Sequence, residues 1–544
     1  MKIKYNILFL LVVVNFLCLS LYSAEWQWSA QVKSVAPSET NDHPRAFLWI
    51  PTNCKQVRGV VVGQHNMLEE GILENATFRK TLTELGFAEV WVTPVINLVF
   101  DFNNGAGDQF NDMMQTLAAE SGYKELAFAP VVPIGHSAAA SYPWNFAAWN
   151  PERTLAVLSI HGDAPLALHT GSGRPNPDWG KRTIEGVPGL MVEGEYEWWE
   201  ERVQPALDYK TKYPKTPISF LADAGYGHFD ISDEMIDYLC LFLEKASKLR
   251  LPAKMPLDKP ANLIPIDPAK GWLSPRFHPD TKPEAPAAPY AKYKGKAKDA
   301  FWYFDKEISL AAEKYYVTSR FKKTQYVGCL QDGNILDRNG EMAGANVQFK
   351  PLADGVSFKL SAVLLDSVPA TKDKPSTKVS GHADGKVIIS RICGPVVKTG
   401  VDTFAVSFYR MGFNNNKRSN DIWLMAHHSG DKYYKGASLQ CGFRIPLPNK
   451  EGLDQQITFP KISNQKAGIS SLKLNATSTS GMPVYYYIQE GPAEISGNTI
   501  QFTGIPPRSK FPLKVTVVAW QYGRSIEPKV KSAEPVFQTF YIEK

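Results

Sequence analysis

The sequence predicts a multidomain protein: a mostly parallel sheet with helices on both faces, followed by two β-sandwich-like domains. Three observations carry this. The chain has 544 residues, the length of roughly two to four domains. Up to about residue 250, short apolar runs alternate with amphipathic ones, as in parallel strands joined by covering helices. Beyond about residue 300, apolar and polar residues alternate between turn signals, as in antiparallel strands.

The first part reads in order. "RAFLWIP" and "RGVVVGQHN" are strands, "NATFRKTLTELG" is a helix ending at Gly86, and "AEVWVTPV" is the next strand. "GDQFNDMMQTLAAESG" is amphipathic, with Phe110, Met113, Met114 and Leu117 near helical spacing. "FAPVVPIG" is a strand, and the alanine-rich stretch after Ser137 is a helix. "TLAVLSIHG", "PGLMVEGE" and "PISFLADAG" are short, continuously apolar strands. "EWWEERVQPALDYKTKY" is a helix containing Pro205. "SDEMIDYLCLFLEKASKLR" is the clearest helix, capped by Ser232, with Met235, Leu239, Phe242, Ala246 and Leu249 on one stripe.

Residues 251–300 read as an extended connector. Ten prolines fall between 252 and 289, which exclude a helix or a central strand. Ile266, Trp272, Leu273 and Phe277 give it apolar anchors for packing on the first domain. Residues 301–450 are β-rich, with runs such as "VSFKLSAVLL", "GKVIISRICG" and "DIWLMAHH". Residues 451–544 form another β unit. Its order of Gln455, Ile457, Phe459, then Ala476, Thr477, Ser480, Gly481, Pro483, Val484, then Gly497, Asn498, Ile500, then Val515, Thr516, Val517, Ala519, Gln521, Gly523 resembles the bacterial immunoglobulin-like repeats of secreted proteins. The resemblance implies a structural or presentation role.

Composition bounds the function. With 44% hydrophobic and 21% charged residues, the chain has a soluble globular profile. The net charge of +6 has no basic face to go with it, so nucleic acid is not an expected partner. A short basic start, an apolar run and small residues near Ser23 and Ala24 read as a signal peptide over 1–23. An uncleaved anchor is the alternative, but the run is short and lacks a basic flank after it. The expected location is the periplasm, the cell surface or the medium. Cys54, Cys240, Cys329, Cys393 and Cys441 remain after it; a bridge among the last three suits an oxidising compartment. His427 and His428, adjacent on a strand, point to opposite faces and make a poor metal pair. No metal or cofactor motif is found.

The chemistry centres on "VVPIGHSAAASYPWNF". Gly135-His136-Ser137-Ala138-Ala139 follows a strand and precedes a helix. A serine on such a strained turn is exposed as a nucleophile, flanked by small residues because the turn is tight. It needs a base, an acid to orient the base, and donors for the oxyanion. Acid then histidine should follow at later strand ends. Glu197, after "PGLMVEG", and His228, in "GYGHF", meet that order. Glu195, Glu193 and Asp163 are rival acids. The oxyanion donors are then the Ala138 amide and that of Asn66 or Met67, just past the strand at 59–64. His65, His136, Asp163, Trp198 and Tyr226 are further substrate-contact candidates, and Trp144, Trp179 and Trp199 are aromatics near the site.

On these residues the stretch from about 44 to 250 resembles the α/β-hydrolase superfamily. The resemblance implies a catalytic domain over 24–250, with the family's acid falling on Glu197 and its histidine on His228. Together with the export signal and trailing β modules, it implies a secreted esterase removing acetyl or other acyl groups from polysaccharides. Two alternatives stand beside this reading. One is a prolyl-oligopeptidase-like peptidase, whose β domain usually precedes the hydrolase domain. The other is a non-catalytic carbohydrate-binding protein, which would need a defective triad.

Overall fold

The computed structural model describes residues 25–33, 43–167, 174–197, 200–337, 344–368, 377–378, 381–413 and 420–544. The expected signal segment, Trp198 and Trp199 lie outside them. Eight strands build the first sheet: β1 (Trp28–Gln31), β2 (Arg45–Trp49), β3 (Gly59–Gln64), β4 (Phe87–Thr93), β5 (Val131–His136), β6 (Val157–Ile160), β7 (Gly189–Gly194) and β8 (Ile218–Asp223). Their order is β1-β2-β4-β3-β5-β6-β7-β8. β1 and β2 join antiparallel, and every pairing from β4–β3 onward is parallel. β3 to β8 are buried at every position, which is why they read as continuous apolar runs.

Helices cover both faces. α1 (Glu69–Leu73) follows β3, and α2 (Ala76–Leu85) starts on an Asn75 cap whose side chain accepts the Thr77 and Phe78 amides. α3 (Ala106–Ser121) buries Phe110, Met113, Met114 and Leu117 as its spacing predicts. α4 (Ser141–Trp149) follows the turn at Ser137, and α5 (Glu200–Lys212) contains Pro205. α6 (Asp233–Arg250) is capped by Ser232, which accepts the Met235 amide. Its buried stripe holds Met235, Leu239, Phe242 and Ala246, but Leu249 is exposed.

The expected boundary at residue 301 falls inside the first unit. The connector packs through Leu273 and Phe277, with Ile266 and Trp272 against the same core. Contrary to the expectation of no central strand, the connector itself supplies β9 (Trp272–Pro275), which lies between β10 (Ala288–Pro289) and β11 (Ala300–Tyr303) in a small sheet because Pro275 and Pro289 fall at strand ends; beyond it, α7 (Lys306–Val317) is a helix, not a strand. Tyr303 and Tyr316 donate to the Phe220 carbonyl, at 2.8 and 3.1 Å, and Ser219 donates to the Trp302 carbonyl at 2.6 Å. These residues cover β8, the edge of the large sheet, which would otherwise expose unpaired backbone groups.

Two β-sheet regions follow. The middle one holds the sheet built on Asp421–His428 and Ala437–Arg444, with smaller sheets beside it. A disulfide joins Cys329 to Cys441, while Cys54, Cys240 and Cys393 are buried thiols. The last region has a four-stranded and a three-stranded sheet. It packs back onto the first unit: Ser29 donates to Glu490 at 2.6 Å, and Arg508 pairs with Glu125 at 2.7 Å. Among the described residues no helix is long and apolar enough to cross a membrane.

Candidate active site

Ser137 sits where β5 ends and a single 3₁₀ turn, Ser137–Ala139, begins. Its φ is +53°, a left-handed conformation that a serine adopts only when its surroundings enforce it. The turn is tight. A Cβ on Gly135 would lie 2.1 Å from the Ala139 carbonyl oxygen, so glycine is required there. Ala139 is fully buried against Val95 and Leu98, which accounts for alanine where such turns often have glycine.

Three loops at strand ends bring the partners in. His228 Nε2 lies 2.7 Å from Ser137 Oγ. On its other side His228 Nδ1 donates to Glu197 Oε2. With Nδ1 a donor, Nε2 is free to accept the serine proton. Glu197 is 3% exposed, and its carboxylate receives four donors. Gly194 N–H (3.0 Å) and His161 Nδ1 meet Oε1; Arg202 Nη1 (3.0 Å) and His228 meet Oε2. That fills all of the roughly four lone-pair positions of a carboxylate. Burial alone would raise the Glu197 pKa, but His161 and His228 hold it well below the usual carboxylate range. Burial lowers His228 from its ordinary value, with Glu197 opposing.

Strand order, the strained serine after β5 and the acid and histidine after β7 and β8 occur together. The first unit has the α/β-hydrolase fold. No known family profile matches the sequence, and no curated protein does. Among solved structures it is similar to an S-formylglutathione hydrolase from Agrobacterium tumefaciens (15% identity, TM-score 0.31, 41% of this chain and 94% of that one). It is also similar to a dienelactone hydrolase from Anabaena variabilis (16%, 0.26, 41% and 95%). A third is a truncated carbohydrate esterase from gut microbiota (13%, 0.29, 42% and 99%). The strand order, not these low scores, defines the fold.

The other sequence candidates divide. Among the rival acids, Glu195 is buried away from His228: it accepts from Lys435 Nζ at 2.6 Å and from the Gly225 amide at 2.9 Å. Asp163 and Glu193 each lie 4.0 Å from Arg202. The Asn66 and Met67 amides both donate to Glu69 Oε2, at 3.0 and 2.9 Å. That carboxylate, rather than an open oxyanion position, is their acceptor here. His65 and His136 are no substrate contacts in this structure, because both are buried. His65 meets Thr93 Oγ1 at 2.9 Å, and His136 Nε2 donates to the His228 carbonyl at 2.9 Å. Trp144 and Trp179 are core, bonded to the Asp163 carbonyl and to Asn145. Tyr226 is half-buried and stacks on His427, with ring centres 4.9 Å apart. The two rings line a cavity of about 630 Å³ between the first unit and the middle β region.

Sequence reasoning missed Glu69, His161 and Arg202. Glu69 ties the loop after β3 to the elbow, accepting His136 N–H at 2.7 Å besides the two amides above; burial pushes its pKa up to about 7. Glu69 opens α1 after Leu68, which offers no side-chain cap, so no local spacing marked it. Arg202 stands in the first turn of α5, where a cation opposes the helix dipole unless a carboxylate holds it. His161 directly follows β6, at a strand end of the kind that carries site residues in such sheets.

Proposed function

We propose that the protein is an exported serine esterase that removes acetyl or other acyl groups from polysaccharide esters. The supporting observation is the unbroken contact line from Ser137 Oγ through His228 to Glu197, with the serine held at a strained elbow. Ser137 Oγ attacks the ester carbonyl as His228 Nε2 takes its proton, so a C–O bond forms and the carbonyl π bond opens onto oxygen. The Ala138 amide, in the early turn where N–H groups lack helical acceptors, is one donor to that oxyanion. The tetrahedral species collapses, the alcohol leaves with the His228 proton, and the acyl group stays on Ser137. Water then gives its proton to His228 and attacks the acyl carbon, and the returned proton frees Ser137 with the carboxylic acid.

Export and the polysaccharide substrate are inferred from the signal-like start and the trailing β modules of the sequence. The intact contacts weigh against a non-catalytic role. Hydrolysis of p-nitrophenyl acetate is expected for the wild type, with Ser137→Ala lower by 10³-fold or more, on the order of losing a triad nucleophile. Equal turnover by the two proteins would refute the esterase. Acetylated plant and algal polysaccharides, assayed by released acetate, then test the substrate class.

A further inference from the structure

Glu197 has histidines on both carboxylate oxygens. One is His228. The other, His161, is fully buried and follows β6 at φ +47°. A bulky non-glycine residue in that left-handed region marks a local constraint held by its surroundings. What holds it is visible: Nδ1 lies 2.5 Å from Glu197 Oε1, and Nε2 faces Asp223 Oδ2 at 3.8 Å. Asp223 is itself fixed, since its other oxygen accepts from Ser232 (2.9 Å) and from Tyr315 of α7.

We propose that His161 is a positioning residue of the active site, which pins Glu197 from the side opposite His228 and shares its charge. The inference rests on the serine-hydrolase reading above. Geometry gives its first half. A carboxylate gripped by Gly194, Arg202 and His161 cannot rotate when His228 moves its proton, so the base keeps the alignment to Ser137 on which rate depends. Charge gives the second. The groups around His161 are Glu197, Asp223 and Asp230, which favour its protonation, and the rings of His136 and His228, each 6.0 Å away, with Arg202 held on the other oxygen of Glu197. Burial opposes a charge on His161, but the carboxylates outweigh it and raise its pKa. A cation there competes with His228 for Glu197. It therefore makes a proton on His228 less stable and keeps that base neutral into mildly acidic solution.

Two substitutions separate the halves. His161→Asn keeps an N–H near the Nδ1 position, suits a left-handed backbone and carries no charge. His161→Leu removes donor and charge together. For p-nitrophenyl acetate, His161→Leu should lower kcat by up to about 10²-fold, the effect of a misplacement near 1 Å. His161→Asn should recover most of kcat, yet its acid limb of kcat/KM should move up by about one to two pH units, as for losing a charge 6.0 Å away at an effective dielectric of about 20. If His161→Leu does not fold, the limb shift in His161→Asn decides alone. Wild-type kcat with an unmoved limb in the folded variants overturns the proposal. So does equal loss in both variants with no limb shift, which marks a purely structural residue. A fluorophosphonate probe separates this from the parent reading: labelling of wild type but not Ser137→Ala upholds the hydrolase whatever His161 does, and no labelling of either refutes it.

Discussion

At the residue scale, two glutamates two positions apart have opposite assignments. Glu197 meets His228, whereas Glu195 meets Lys435, Ser319 and the Gly225 amide. Glu197→Gln removes the charge that balances the imidazolium, so kcat should fall by roughly 10³–10⁴-fold, as for triad acids elsewhere. Glu195→Gln leaves that charge in place and should act mainly on stability. Steady-state kinetics of the two variants checks this, and a larger kcat loss in Glu195→Gln would move the acid. Ser137, Glu197 and His228 were legible because chain order and strand ends place them. Glu69, His161 and Arg202 were not, because their roles come from partners on other loops: Glu69 lies 67 residues from His136, and His161 lies 36 from Glu197. No local pattern joins such pairs.

At the element scale, the elbow depends on how closely β5, its 3₁₀ turn and the loop after β6 approach. A Cβ on Gly162 would fall 1.9 Å from Ala140 Cβ. Gly162→Ala must push the turn after Ser137 or the loop carrying His161, and overpacking of this kind costs about 1–3 kcal/mol. A lower melting temperature together with reduced esterase activity is the expected pair of results; unchanged activity would show that the turn absorbs the methyl group freely. The first sheet was readable because its buried strands are uninterrupted apolar runs. β11 and α7 were misassigned to the next domain for a related reason. "FWYF" is an apolar run that suits any strand, and only tertiary packing on β8 shows which sheet it protects. For α7 the Asp305 cap, accepting the Ile308 amide, was the available clue.

At the scale of the whole molecule, the middle β region backs the loops that carry Glu197 and His228. Phe229 stacks on Trp423 with centres 5.6 Å apart, Asp230 accepts from Ser438 at 2.8 Å, and Lys435 bridges Glu195 (2.6 Å) and Asp280 (2.8 Å). Lys435 is 4% exposed. Lys435→Met leaves the buried Glu195 charge without its partner, which should destabilise the fold by about 3–5 kcal/mol. Because Glu195 also holds Gly225 at the start of the His228 turn, kcat should fall as well. Denaturant unfolding beside kinetics tests both; unaltered stability would mean that the contact contributes nothing. Both stretches read as β-rich in the sequence, but nothing in it indicated that they would close on the first unit.

The outer edge of the large sheet belongs to β1, and Trp26 just before it bridges to Gly491 while Ser29 bonds Glu490. Synthesis runs the other way round. Glu490 is made 461 residues after Ser29, so β1 waits for the segment that covers it. Until it emerges, the nascent chain carries an open strand edge, the kind of surface that recruits other chains. Closure of this edge therefore waits on a segment made much later.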